Sequence, residues 1–222
     1  MRRILTVAVV AALLTTTAWV VHGAAAGSTR TAEAAAPAAA AGTGSRINER
    51  ALERGLRTAK PASLATQLAA ARLATARYAT SLRAAKADGY QIITRMIPDM
   101  GWHFLNPTIQ GFDVTKPPIL VYEHHGDAWQ LGALEWVFTA TPSTPPLPGA
   151  TYGSFAAACH YQDGTFVFAR VQELCAERSP QTGARFNFWH PDLVTLHVWL
   201  WYHNPDGLYS GTNPLVRPFN RG

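Results

Sequence analysis

The chain has 222 residues, a formal charge of +5 at neutral pH, 48% hydrophobic residues and two cysteines. That length suits one domain with a sizeable core, which excludes a scaffold that needs a metal or a disulfide merely to fold. The charge divides by region, with ten Lys or Arg against four acids in residues 27–90 and seven against ten in residues 91–222. The positive charges are spaced singly through Ala-rich sequence without aromatic neighbours, the pattern of a solvated helix, which argues against a nucleic-acid partner.

The N-terminus, MRRILTVAVVAALLTTTAWVVHGAAAGS, places Arg2 and Arg3 before the apolar stretch Ile4 to Val21 and small residues at Ala24 to Ala26. This is the layout of a secretory signal peptide over residues 1–26. It implies an extracytoplasmic chain, secreted or held in the cell envelope, with no membrane span after cleavage. Residues 27–45, low-complexity Ala, Gly, Ser and Thr, bury too little to offset chain entropy and are expected to form a disordered tether. A helical segment follows over residues 46–90, interrupted by Pro61. Within it Ser63 is placed to cap a helix whose inward stripe is Leu64, Leu68, Ala71, Thr75, Tyr78, Leu82 and Ala85. Thr75 is the weak point of that stripe, and Asp88-Gly89 supplies a left-handed stop.

From Gln91 the pattern becomes short β-branched and aromatic runs broken by Pro, Gly, Asn and Asp. Strands are expected at Gln91 to Ile97, Trp102 to Leu105, Ile119 to His124, Trp129 to Phe138, Thr165 to Gln172 and Leu193 to Tyr202. Gly126-Asp127 fits a two-residue type II′ loop, Asp163-Gly164 a type I′ hairpin, and Asn204-Pro205-Asp206-Gly207 a type I turn. Consecutive hairpins without intervening helices imply an antiparallel sheet. The expected fold is therefore α+β, mainly β: a small antiparallel barrel or sandwich over residues 91–222 with the Ala-rich helix packed outside.

Cys159 and Cys175 are expected to form a disulfide, worth about 3 kcal/mol for a loop of this size. With a two-residue turn at Asp163-Gly164, Cys159 falls opposite Phe168, and a further bend must return Cys175 to it.

The run FWHPDLVTLHVWLWYHNPDG, residues 188–207, concentrates three tryptophans and three histidines. Strand alternation puts His197, Trp199 and Trp201 on one face, a large polar-tipped aromatic surface suited to a ligand pocket, with Trp136 added from the neighbouring strand. Glu135 lies within LGALEWVF, apolar on both sides, and a buried carboxylate needs a partner. His103 and His197 can supply it, either as a hydrogen-bonded network or as a two-histidine, one-carboxylate metal set suited to Zn²⁺ or Fe²⁺. With Gly126-Asp127 as a two-residue loop, Tyr122 falls opposite Leu131, which places Glu123 on the face opposite Glu135 and His124 on the same one. His160 and His190 receive no role from their local sequence.

The elements KADGY, MGWHFLNP, ILVYE, LGALEWVF, FWHP, LHVWLWYHNPDGL and GTNPLV resemble an uncharacterised family of exported bacterial proteins. The resemblance implies an exported globular domain and carries over no catalytic residue. The expected function is binding of a metal ion or small ligand in a pocket lined by His, Glu and Trp. A metal-dependent barrel enzyme of the oxygenase or hydrolase kind and a structural envelope protein are the alternatives.

Overall fold

A computed structural model of the protein describes residues 62–219. The expected signal peptide, tether and first part of the helical segment lie outside those residues.

Helix α1 (Leu64–Thr75) begins where foreseen, the Ser63 hydroxyl accepting from the Thr66 amide at 3.2 Å. It does not run on to Ala85. Thr75 is fully buried, donating its hydroxyl to the Ala71 carbonyl at 2.8 Å and accepting from the Trp201 indole at 3.0 Å. There the chain tightens into a 3-10 turn, Ala76–Tyr78, and restarts as α2 (Leu82–Ala87) with Ser81 as its cap. Gly89, at φ 97°, ends it in the left-handed conformation that glycine adopts without penalty.

Nine strands follow: β1 (Gln91–Ile97), β2 (Gly101–Leu105), β3 (Ile119–His125), β4 (Ala128–Phe138), β5 (Gly153–Phe155), β6 (Ala158–Tyr161), β7 (Phe166–Phe168), β8 (Phe186–His190) and β9 (Leu193–Val198). Six form one curled antiparallel sheet, a half-barrel in the order β1-β2-β3-β4-β9-β5; β7-β6-β8 form a second, small sheet. The fold is thus mainly β with the short helices at its N-terminal side, as the patterning implied. The chain passes between the sheets at two short corners, residues 156–157 and Pro191-Asp192. At the other edge the small sheet is tied to β1. The His160 ring bonds the Ile93 carbonyl at 2.7 Å, the Arg95 amide donates to the Gly164 carbonyl at 2.8 Å, and Arg95 pairs with Asp163 at 2.6 Å. The small sheet therefore bridges both edges of the half-barrel, β5 through the corner and β1 through these bonds.

Alternation divides the large sheet into two apolar faces. On the outer one Leu120, Tyr122, Leu134, Trp136 and Leu196 pack against Ala71, Leu82 and Ala85 of the helices. Full burial of each large side chain there contributes roughly 1.5–3 kcal/mol. On the inner face Ile119, Val121 and Ala133 meet Trp199 and Val216.

The loop at Gly126-Asp127 is two residues long as expected, with His125 opposite Ala128 and Tyr122 opposite Leu131. Beyond it the register shifts, Val121 facing Ala133 and Ile119 facing Glu135, because Gly132 is an extra residue bulged out of β4. The bulge reverses the inferred faces: Glu123 joins Ile119 and Val121 on the inner face with Glu135. His124 turns to the other face, where it stacks on Trp129 with ring centroids 4.1 Å apart.

The second hairpin also differs. Tyr161 bonds Thr165, so the loop is Gln162-Asp163-Gly164, three residues with glycine left-handed at φ 81°, rather than a type I′ pair. Cys159 consequently faces Val167 instead of Phe168. The expected strand to Gln172 ends at Phe168, and the 3-10 turn Gln172–Leu174 supplies the bend that brings Cys175 to its disulfide with Cys159, Cα atoms 5.6 Å apart.

Candidate metal centre and its cavity

His103 on β2, Glu135 on β4 and His197 on β9 converge on the inner face. The register explains it: Glu135 is paired directly with His197 and with Ile119, and His103 is paired with Val121. All three side chains are at most 7% exposed. His197 Nε2 stands 3.3 Å from Glu135 Oε1, and His103 Nε2 stands 3.6 Å from Oε2. One ligand atom from each residue falls within 4.8 Å of the others, so the group could hold a metal ion.

Two features separate this cluster from an ordinary hydrogen-bonded network. His197 Nε2 is buried and makes no well-formed hydrogen bond, although the carboxylate is near. The spacings of 3.3 and 3.6 Å suit ligands of a shared ion, since donors about 2.05 Å from a tetrahedral centre lie about 3.3 Å apart. The other ring nitrogen of His103 lies 2.8 Å from the Thr94 hydroxyl, which also accepts from the His103 amide at 3.3 Å. That contact fixes the ring and leaves Nε2 turned to the carboxylate, the usual support of a ligating histidine.

Electrostatics set the protonation states. Burial pushes His103 down to about 4, against a weaker upward pull from Glu135. Burial alone would raise Glu135, but the two imidazoles outweigh it and hold the carboxyl below its ordinary value. A neutral imidazole and an ionised carboxylate are the forms that ligate a cation. Among the described residues no lysine or arginine lies within ion-pair distance of Glu135; the histidines are its only basic partners there.

The cluster forms part of the wall of a half-open cavity of about 230 Å³ between the two sheets. The rest of the wall is mostly apolar, including Ile93, Met100, Leu105, Phe155, Phe188 and Leu193. His160 and His190 also lie on it.

The expected tryptophan lining is not found. Trp136 faces outward, packed on Phe112 at 5.1 Å with its indole donating to the Asp113 carbonyl at 3.3 Å. Strand β9 ends at Val198, where a tight turn bonds the Leu200 amide to the Val198 carbonyl and breaks the alternation. Trp201 thereby moves to the helix side, bonded to Thr75 with the Arg72 guanidinium 4.6 Å from its ring. Trp199 stays beside His197, centroids 6.4 Å apart, but packs into the inner core with its indole on the Ser210 carbonyl and takes no part in the cavity wall. Phenylalanine and histidine from the small sheet stand where tryptophan was expected.

Three residues near the site carried no strong local signal. Thr94 is reached only through its pairing with His103. Glu123 is buried at 1% exposure with neither carboxylate oxygen hydrogen-bonded, and burial pushes its carboxyl up to about 8. His160 depends on β6 and β8, two short strands that the apolar patterning did not mark.

Among the described residues no helix is long and apolar enough to cross a membrane. A scan against protein-family models finds no match, and searches of curated proteins and of solved structures find none either, so the geometry alone carries the functional reading.

Proposed function

We propose that this is an exported protein that holds a divalent metal ion, Zn²⁺ or Fe²⁺, through His103, Glu135 and His197, and takes a small apolar ligand in the adjoining cavity. The observation that carries the reading is the buried Glu135 carboxylate, answered by two imidazole nitrogens at ligand spacing and, in the case of His197, without a hydrogen bond. The disulfide between Cys159 and Cys175 supports an oxidising, extracytoplasmic setting, as does the likeness of its motifs to exported bacterial proteins.

A second reading, a metal-dependent enzyme, is favoured by one specific feature. Three protein ligands leave a metal with open positions, and here the ligands sit on the wall of a cavity that a substrate could occupy. The metal would supply Lewis acidity, while the chain's own groups exclude water and orient the ligand.

Elemental analysis of protein purified without a His-tag tests the shared premise. About one equivalent of zinc or iron, lost in His197→Ala, supports it; no metal in protein exposed to either ion removes it. Turnover of a substrate then separates enzyme from binder.

A further inference from the structure

The two cavity histidines outside the metal centre pose a proton-counting problem. His160, on β6, and His190, at the end of β8, are diagonal neighbours on one face of the small sheet, since Ala158 pairs with His190 and His160 with Phe188. His160 Nδ1 lies 2.7 Å from the Ile93 carbonyl, and His190 Nδ1 lies 2.6 Å from the Pro191 carbonyl. A carbonyl oxygen can only accept, so both Nδ1 atoms must carry a hydrogen. The two Nε2 atoms then face each other at 3.0 Å. A neutral imidazole has one ring N–H, already spent at Nδ1 in each, so two unprotonated nitrogens stand at contact distance with no hydrogen between them. The arrangement is satisfied only if a cation sits between the rings or at the point where their lone pairs cross.

We propose that His160 and His190 form a second cation site on this cavity, whose paired nitrogen donors take a divalent transition-metal ion and favour Cu²⁺.

A third proton is the simplest cation, but burial opposes it. His160 is 2% exposed, its ring stacked on Phe188 with centroids 4.7 Å apart and planes 6° from parallel, and burial pushes it down to about 4. Burial lowers His190 as well. A metal ion supplies the positive charge without asking either ring to protonate.

The nitrogen spacing fits a shared ion. Two nitrogens about 2.05 Å from an ion stand about 2.9 Å apart at a right angle and about 3.3 Å apart at the tetrahedral angle. The observed 3.0 Å falls within reach of a shared ion, and copper binds nitrogen donors more tightly than nickel or zinc. His190 is half-buried and its ring reaches the cavity, so water can fill the remaining positions. Asp192, whose charge acts on His190, offsets part of the ion's charge. The disulfide beginning at Cys159, next to His160, marks an oxidising environment in which copper stays divalent.

The test is copper titration of the full chain, counting ions retained after desalting and recording the nitrogen hyperfine pattern by electron paramagnetic resonance. The wild type should retain two equivalents, His197→Ala one with two ring nitrogens in its spectrum, His190→Ala one, and the double variant none. His190→Gln, which keeps a polar group in place, should lose the same equivalent as His190→Ala, separating loss of a ligand from loss of structure. Copper retention and spectra unchanged by both His190 variants would overturn the proposal. If the wild type retains one ion that only His197→Ala removes, the pair is empty and the first centre stands; if only the His190 variants remove it, the pair stands and the first centre fails.

Discussion

Glu135 and His197 face each other across β4 and β9 with Oε1 and Nε2 3.3 Å apart, yet no well-formed hydrogen bond joins them. In a dry interior such a near miss has a cost, because an unpaired buried polar atom forfeits about 1–3 kcal/mol. An ion between them converts the cost into binding energy. The arrangement therefore predicts that Glu135→Gln, similar in shape but without the charge, lowers Zn²⁺ affinity by more than about 100-fold, beyond the range typical of supporting residues. Calorimetric titration of the two proteins measures it.

Thr94 touches no proposed ligand atom directly but holds the far nitrogen of His103 at 2.8 Å. Thr94→Val keeps the volume and removes the hydroxyl. Zn²⁺ affinity should fall about 10-fold to 100-fold, with the circular dichroism of the folded protein unchanged.

Glu123 gives the pH dependence its sign. Its carboxyl is ordinarily ionised above about 4.5 but is pushed up to about 8 in the folded protein by burial. The unfolded chain thus loses this proton first, so the residue destabilises the fold progressively as pH rises from 4.5 and reaches its full effect near 8. Glu123→Gln should match the wild type near pH 4 and exceed it increasingly toward pH 8 to 9, by up to about 5 kcal/mol. Urea unfolding at several pH values checks this; a constant difference would show that the carboxyl is solvated.

How much of this was legible in the sequence depends on which force decided each feature. The strands β1 to β4 and the start of β9 carry long apolar or alternating runs, so their positions and the sheet type could be read directly, whereas the grouping of His103, Glu135 and His197 followed only from the need of a buried carboxylate for a partner, with no local spacing to support it. The bulge at Gly132 could not: a glycine in an apolar strand signals one only weakly, and the two faces of LGALEWVF are equally apolar. Assigning Glu123 to the wrong face followed from that single residue. Trp201 was misplaced because strand alternation was extended past Val198, whereas the backbone turns sharply at Leu200. Strands β5, β6 and β8 are short and are held by pairing with distant partners, so the wall carrying Phe155, His160 and His190 became visible only in three dimensions.

The disulfide closes the segment from Cys159 to Cys175, 16 residues apart in sequence, which holds β7 and most of β6 of the small sheet. Replacing both cysteines with alanine should cost about 3 kcal/mol in the chain-entropy account. Thermal unfolding of oxidised, reduced and substituted protein measures it, and the same loss on reduction and on substitution is expected.

The cavity should take small aromatic molecules, since apolar voids of about 150 Å³ already admit benzene. Indole at millimolar concentration should raise the melting temperature of the wild type. Leu193→Trp, which fills space at the wall, should abolish that rise while leaving metal content unchanged.

The most direct measurement is anomalous diffraction from crystals of the untagged protein grown with zinc, with data on both sides of the zinc edge. The account predicts a single strong peak among His103 Nε2, Glu135 and His197 Nε2, about 2.0–2.2 Å from each ligand atom. A site left without a peak while zinc binds elsewhere, or a direct Glu135 to His197 hydrogen bond in its place, would contradict it.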